Sequence, residues 1–328
     1  MFHYDVRKVG RDIIAVSVGL FRIMIPTLIA VKLAQEVGFD DLLVFLFAPM
    51  MSAMDLPAAM AIILVATMLT NPYAGLIVAT TIPEVAGLSV GQTSIVALFM
   101  LFTHGLPLEA MVSRKVGVQL WFVITIRILT AFFTGFLLAQ IFAMTGWFSA
   151  PAAINLFELV GTYGGADAGL LVWLNQQISA LVVVQFVIII LVALLELLRI
   201  LGVERFMTWL LSPLLRFMGI GERASTIAIV GVVLGLSFGS GLLMKDVATG
   251  TIAKKDVFGV VCFINLFHSV VEDTAVVLLL GPSLIIILGV RLVISVLVTM
   301  LVMAGASRLS DADWRRYLTN DNIPKSAG

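Results

Sequence analysis

The chain of 328 residues is 61% hydrophobic and 12% charged, and its basic and acidic side chains balance at pH 7. Soluble domains carry about 25% charged residues, so this composition excludes a soluble protein. Long apolar runs recur from residue 13 to residue 304, far beyond the roughly 20 residues of one bilayer crossing. They lack the alternation of a membrane β-barrel. The sequence therefore predicts an all-α polytopic membrane protein.

The N-terminal run does not resemble a cleaved signal peptide. Arg7, Lys8 and Arg11 form a basic flank, but the apolar run after them is long, contains Arg22 and has no small-residue cleavage site. We expect this run to be a retained first span. The single cysteine, Cys262, excludes an internal disulfide.

Rare residues recur at an offset of 164, which is half the chain length of 328. The pairs that match without a gap are Gly38 and Gly202, Pro49 and Pro213, His104 and His268, Glu109 and Asp273, and Arg127 and Arg291. Histidine and proline are scarce in this chain, so these matches predict an internal duplication.

Each half is predicted to contain the same elements in the same order. These are a first span (13–36 and 178–200), an interfacial helix (40–54 and 204–218), an interrupted apolar segment (57–80 and 224–244), a connection (81–91 and 245–256), a span with polar residues (92–113 and 257–280) and a final span (117–143 and 284–304). The chain then divides into a first repeat (1–144), an external linker (145–177), a second repeat (178–305) and a cytoplasmic tail (306–328) with one short helix at 311–318.

The distribution of Lys and Arg indicates how the halves are oriented. If each interrupted segment is a re-entrant hairpin, every Lys and Arg outside the spans lies on the cytoplasmic side except Lys32. The positive-inside rule favours this arrangement over four full passes per half. Each half then has three full spans and one hairpin, so the repeats are inverted and both termini are cytoplasmic in an inner-membrane protein. Inverted repeats with broken helices are typical of secondary transporters.

The first hairpin tip, TNPYAG, supplies candidate substrate-binding residues. Pro72 has no N–H and restricts the residue before it, so a helix should stop there. Unwound backbone at membrane depth is tolerated where it lines a cavity, which makes Thr70, Asn71 and Tyr73 available to a ligand.

The second tip, residues 235–241, adds Ser237 and Ser240 to the candidate substrate-binding residues. Its glycines have an alternative role, because small residues spaced by four let two helices pack closely. The tip also matches the G-x-S-x-G pattern of serine hydrolases. That pattern requires a strand, a turn and a helix in an α/β sheet, so we predict no catalytic residue and no enzyme.

Polar side chains inside the later spans supply a second set of candidate substrate-binding residues. In the second half, Asn265, His268 and Glu272 share one face of a continuous helix. In the first half, Thr103 and His104 are followed closely by a glycine and a proline, so a bend is expected there. An ionisable group in hydrocarbon costs about 2.5–3.5 kcal/mol on insertion scales. We therefore interpret His268 and Glu272 as ligands of the substrate or of a coupling proton.

The other charged residues of the spans have two interpretations, either coupling groups or structural ion pairs. As structural ion pairs, Glu109 would partner Arg127 and Asp273 would partner Arg291. Arg22 either meets an anionic ligand or neutralises Glu272. The sequence contains no metal-ligand cluster and no phosphate-binding loop, so we expect no metal and no cofactor other than a coupling proton or Na⁺.

Residues 213–245 are PLLRFMGIGERASTIAIVGVVLGLSFGSGLLMK, with a P-L-L helix, a G-x-G-E-R-A entry into a hairpin and a Gly-rich tip. This stretch resembles the nucleoside-recognition or gate-domain family of membrane proteins. That family includes the spore maturation membrane proteins, the membrane domain of ferrous iron transport protein B and the concentrative nucleoside transporters. The resemblance implies transport-like hairpins and a homodimer, and it does not fix nucleoside as the cargo. The sequence has no attached GTPase domain, which argues against the iron-transport role.

These observations predict an ion- or proton-coupled secondary transporter of a small polar solute, such as a nucleoside, across the inner membrane. The expected partners are that solute, membrane lipid and a second copy of the chain, and not nucleic acid. The alternative is a non-transporting membrane scaffold or regulatory subunit, in which the polar residues only hold helices together.

Overall fold

The computed structural model describes residues 6–155, 169–234, 243 and 252–320. Within these ranges the chain is helical, with two isolated β-bridges (Ser89 to Pro151 and Val118 to Thr319) and no strand. Five of the described helices are long and apolar enough to cross a membrane. They are Val9–Ala34, Val90–Val116, Leu120–Thr145, Leu170–Leu198 and Ile285–Ala306. The predicted class of all-α membrane protein is confirmed.

The described helices lie in both halves of the sequence. The first half has α1 (Val6–Glu36), α2 (Phe39–Ala53), α3 (Met60–Leu69), α4 (Pro72–Ala79), a 3-10 turn (Pro83–Gly87), α5 (Val90–Thr103), α6 (Leu106–Val116) and α7 (Leu120–Thr145). The second half has α8 (Leu170–Ile200), α9 (Val203–Phe217), α10 (Glu222–Leu234), α11 (Lys254–Leu266), α12 (Glu272–Val277), a 3-10 turn (Leu278–Leu280) and a π-helical turn (Ile285–Val290) that leads into α13 (Arg291–Ala306). The tail forms α14 (Asp311–Asp313), which continues as a π-helical turn (Trp314–Leu318).

Several helix boundaries recur at the spacing of 164 residues. Both ends of α1 match both ends of α8 at that offset, and the same holds for α2 and α9. Gly38 and Gly202 precede α2 and α9 with φ of 71° and 76°, a left-handed conformation that glycine adopts without steric cost. The α8 helix begins at Leu170 instead of the predicted residue 178, so the end of the predicted linker is helical.

The first interrupted segment has the break that its sequence predicts. The α3 helix ends at Leu69, and the extended Asn71 caps α4 because its Oδ1 accepts a hydrogen bond of 3.0 Å from the N–H of Ala74. A Cβ on Gly75 would lie 1.9 Å from Thr67 Oγ1, so α3 and α4 pack at a distance that only glycine permits here.

The second interrupted segment is described only in part. The α10 helix covers its first part, from Glu222 to Leu234. The predicted tip at 235–241, with Ser237 and Ser240, lies outside the described residues.

Both spans that carry polar residues are broken near their middle. In the first half, α5 ends at Thr103 and Gly105 has a φ of 59°, which agrees with the expected bend. In the second half, α11 ends at Leu266 and α12 begins at Glu272. The expectation of one continuous helix through Asn265, His268 and Glu272 is therefore wrong. Ser269 takes a left-handed φ of 46° within this break, a conformation that serine rarely adopts.

Backbone groups freed at each break find partners on a neighbouring helix. The N–H of Gly105 donates to Thr67 O over 3.1 Å, and the N–H of Val270 donates to Val232 O over 3.1 Å. The acceptors lie on α3 and α10, the first helices of the two interrupted segments. These bonds satisfy donors that would otherwise be unpaired in the interior, which explains why the breaks are tolerated.

The described chain forms two compact units, and each unit contains residues from both sequence halves. The first consists of described residues from Met1–Gly105, Phe132–Ile200 and Glu272–Ile287. The second consists of described residues from Leu106–Ala131, Leu201–Val271 and Leu288–Gly328. In the first unit, α12 packs against α4, α5 and α8. In the second, α11 is buried from Val257 to its end and packs against α6, α10 and α13.

Candidate functional site

In the first unit a histidine faces a carboxylate at the break of the first polar span. His104 directly follows α5, and its Nε2 lies 3.3 Å from Oδ2 of Asp273 on α12. The other ring nitrogen, Nδ1, lies 3.2 Å from Met100 O, one helical turn back. Both side chains are buried, with residue exposures of 5% for His104 and 6% for Asp273.

A second carboxylate lies beside this pair in the first unit. Glu272 immediately precedes Asp273, and its Oε1 accepts a hydrogen bond of 3.1 Å from the phenol of Tyr73. Tyr73 is buried at the start of α4, next to the first hairpin tip. The fold therefore joins a predicted tip residue of the first half to a predicted polar residue of the second half.

Three other candidate substrate-binding residues use their polar atoms on the local backbone. Thr70 Oγ1 donates to Ala66 O over 2.6 Å, and Thr103 Oγ1 donates to Phe99 O over 2.7 Å. Asn71 uses its side-chain oxygen to cap α4. These bonds give each residue a role in ending or bending a helix.

In the second unit, the other histidine also faces a carboxylate. His268 Nε2 lies 3.1 Å from Oε1 of Glu109 on α6, and His268 Nδ1 lies 2.6 Å from Ile264 O, one turn back. Arg127 of α7 pairs with the second carboxylate oxygen of Glu109. Arg127 is completely buried and the Glu109 side chain is 14% exposed, so this ion pair is largely shielded from solvent.

Arg291 holds the broken end of α11. Its Nε donates to Leu266 O over 3.0 Å and its Nη2 donates to His268 O over 3.1 Å. The guanidinium carbon also lies 5.4 Å from the centre of the Phe267 ring. A helix leaves its last carbonyls without internal partners, and a cation at that end also interacts favourably with the helix dipole. Arg291 therefore stabilises the break that places His268 opposite Glu109.

Asn265 joins α11 to α6 and has one unsatisfied atom. Its Nδ2 donates to Ser113 Oγ over 2.9 Å and to Val261 O over 2.8 Å. A carbonyl oxygen can only accept, so Val261 fixes which end of the amide faces it. The Oδ1 atom then has no hydrogen-bond partner among the described residues, although the side chain is fully buried.

The contacts of the two histidines constrain where protons lie. Each Nδ1 faces a backbone carbonyl oxygen, which has no proton to give, so each Nδ1 must be the protonated, donating nitrogen. Each Nε2 faces a carboxyl oxygen, and two lone pairs facing each other would repel. In the pair of His268 and Glu109, which are hydrogen bonded, one proton must therefore lie between the ring and the carboxyl group, as imidazolium with carboxylate or as imidazole with carboxylic acid.

The two pairs are equivalent at the offset of 164 residues, and each joins the histidine of one half to the carboxylate of the other. Sequence comparison had matched His104 with His268 and Glu109 with Asp273. It did not indicate that the partners are exchanged. The predicted ion pair of Arg127 and Glu109 is present. Arg22 lies on the exposed face of α1.

The five apolar spans and the buried ionisable pairs define a polytopic α-helical membrane protein. The chain is 31% identical over 291 residues to the uncharacterized membrane protein YvoD of Bacillus subtilis (strain 168), an alignment that covers 86% of this chain and 88% of that protein. The chain belongs to the same family as YvoD. No family model and no solved structure matches the chain.

Proposed function

We propose that the protein is a proton-coupled secondary transporter of a small polar solute, built from two inverted repeats in the inner membrane. The observation that carries the proposal is the presence of two histidine–carboxylate pairs, each at a helix break and each largely shielded from solvent. Broken helices and intramembrane ionisable groups recur together at the ion and substrate sites of secondary transporters.

Recurrent helix boundaries support the duplicated architecture. The matched ends of α1 and α8, and of α2 and α9, are what two copies of one fold would give. The orientation of the copies rests on the distribution of Lys and Arg, which also places both termini in the cytoplasm. A homodimer follows by analogy with the gate-domain proteins that residues 213–245 resemble.

The hydrogen-bonding groups at the breaks favour a solute rich in polar atoms. In the first unit, Tyr73 and Glu272 offer a phenol and a carboxyl group beside the first hairpin tip. A nucleoside or nucleobase fits these groups and the gate-domain resemblance, so it is the first solute class to test.

The test is proton-driven uptake by the purified protein in liposomes. Nucleosides, nucleobases and organic anions would first be screened by thermal shift, because a ligand of the native state raises the melting temperature by mass action. Each stabilising solute would then be offered to proteoliposomes with an inward proton gradient. We expect accumulation that a protonophore abolishes, and an unchanged rate in Glu84→Gln, whose side chain is exposed in the 3-10 turn before α5.

Binding without uptake, or uptake that ignores the proton gradient, would contradict this function. The alternative is a scaffold whose polar residues only hold helices together, and the buried pair of Arg127 and Glu109 is the observation that favours it. A scaffold predicts that substitutions at the histidine pairs alter stability or a protein partner and leave no solute flux to lose.

A further inference from the structure

We infer that the two histidine–carboxylate pairs have different roles, and that the group in the first unit is where the coupling proton binds and leaves. This inference rests on the proposed function. The group consists of Tyr73, His104, Glu272 and Asp273, and we call it the acidic cluster. The repeat alone does not distinguish the two histidine–carboxylate pairs, because their residues match at the offset of 164.

The pair of His268 and Glu109 in the second unit is held in one protonation state. Arg127 occupies one oxygen of Glu109 and His268 occupies the other, so both carboxylate oxygens have partners. A guanidinium does not lose its proton in a protein, so the carboxylate beside it stays ionised. The shared proton then stays on His268 as imidazolium. This arrangement stabilises the break in α11, and both oxygens of Glu109 are already engaged, so the pair does not take up a further proton.

Among the described residues, no arginine keeps a carboxylate of the acidic cluster ionised in this way. The helices packed against α12 are α4, α5 and α8. Glu272 is hydrogen bonded to Tyr73 and adjoins Asp273, which in turn faces His104. No lysine or arginine of the described chain contacts either carboxylate, and Arg22 of α1 is exposed. Asp273 Oδ2 also has no well-aligned hydrogen bond, although it lies 3.3 Å from the imidazole.

The net charge of the acidic cluster indicates that its ligand is a proton. The cluster has two carboxyl groups and one histidine, so even with His104 as imidazolium the two ionised carboxylates leave one net negative charge. A buried charge without an opposite partner is costly in an apolar interior. Uptake of one proton by the cluster makes it neutral, and its release restores the charge. The Tyr73 phenol can donate to the carboxylate or accept from the carboxylic acid, so this hydrogen bond survives both states.

This exchange links the coupling proton to the first hairpin tip. Tyr73 lies directly after the Asn71–Pro72 break, so a change in the proton count of Glu272 acts on the start of α4. A proton bound at the acidic cluster therefore has a direct structural route to the segment that the sequence predicts to meet the solute.

The test uses the full chain in proteoliposomes adsorbed on a solid-supported membrane, with a pH jump and no solute. Proton binding inside the protein moves charge and gives a transient current in the wild type. We expect Asp273→Asn and Glu272→Gln to lose this transient, while Glu84→Gln keeps it. Glu272→Gln is included because Gln retains a hydrogen bond to Tyr73, so this variant remains informative if Asp273→Asn does not fold.

Survival of the transient in both folded variants would overturn the inference and place proton exchange elsewhere. A transient elicited by Na⁺ at constant pH, and none by the pH jump, would also overturn it. The two proposals fail separately. If the variants lose the transient but the wild type moves no solute, the proposed transport function is contradicted and the proton site is retained. If Asp273→Asn still shows proton-driven uptake, only the proton site is contradicted.

Discussion

His268 Nε2 and Glu109 Oε1 lie 3.1 Å apart although the two residues are separated by 159 positions in the sequence. The contact joins α6 of the first half to the second residue after α11 of the second half, and Arg127 of α7 binds the other carboxylate oxygen. Side chains from three segments of the second unit therefore converge on one largely buried carboxylate. Its removal should affect folding more than any exposed charge does.

We expect Glu109→Gln to lower the free energy of unfolding by about 3–5 kcal/mol, because it removes the carboxylate that pairs with the fully buried Arg127 guanidinium. The matched control is Glu222→Gln, which breaks the pair between Arg216 and Glu222. Those side chains are 63% and 85% exposed, so the expected loss is about 0–1 kcal/mol. Unfolding by SDS titration in mixed micelles measures both. Equal losses would show that the buried pair does not stabilise the second unit.

Gly75 controls how closely α3 and α4 pack. We expect Gly75→Ala to destabilise the first unit by about 1–3 kcal/mol, because its Cβ would lie 1.9 Å from Thr67 Oγ1. Adding Thr67→Ala should recover part of the loss, since it removes the oxygen that the new methyl group meets. Gly19→Ala in α1 is the control, with open space around the new Cβ and an expected gain of up to about 1 kcal/mol from helix propensity. Thermal unfolding of the four proteins decides, and a harmless Gly75→Ala would mean that the helices can separate without cost.

The break in each polar span shows how far the sequence could predict this structure. The bend after His104 was predicted because a glycine follows it, and that glycine has a φ of 59°. The break after Leu266 was not predicted, because neither glycine nor proline occurs there. Its cause is tertiary, since Arg291 bonds two carbonyls that a continuous helix would have used internally. Sequence spacing alone cannot show a partner that comes from another helix.

The same limit applies to the candidate site. The rare buried polar residues were identified individually from their cost in an apolar span, and the interruption at Asn71 followed from Pro72. Their pairing was not predicted, because the spacing of His268 and Glu272 had suggested one helical face. The fold instead separates them by the break, so that His268 meets Glu109 and Glu272 meets Tyr73. The only sequence signal for this exchanged pairing was that the two histidines and the two acids both match at the offset of 164 residues.

Ser269 has a left-handed φ of 46°, at the position that matches Gly105 at the offset of 164 residues. We expect Ser269→Gly to stabilise the protein by about 0.5–1 kcal/mol, because glycine takes this conformation without steric cost. Gly105→Ala should have the opposite effect, a loss of about 1–2 kcal/mol, since a Cβ is unfavourable at its φ of 59°. The melting temperatures of the two variants should therefore move in opposite directions. A loss of stability in Ser269→Gly would show that the serine side chain, and not the backbone, holds this break.

Arg291 binds Leu266 O through Nε and His268 O through Nη2, which only a planar guanidinium can do at once. Arg291→Lys keeps the charge but loses one of these bonds and the contact with the Phe267 ring. We expect it to lower the free energy of unfolding by about 1–3 kcal/mol, the cost of a buried carbonyl left without a partner. Arg308→Lys is the control, because that side chain is exposed after α13 and its substitution should be neutral. SDS titration of both variants provides the comparison. Arg291 binds the backbone that carries His268. If Arg291→Lys is as stable as the wild type, the break in α11 is held by its other hydrogen bonds, among them the bond from Val270 to Val232.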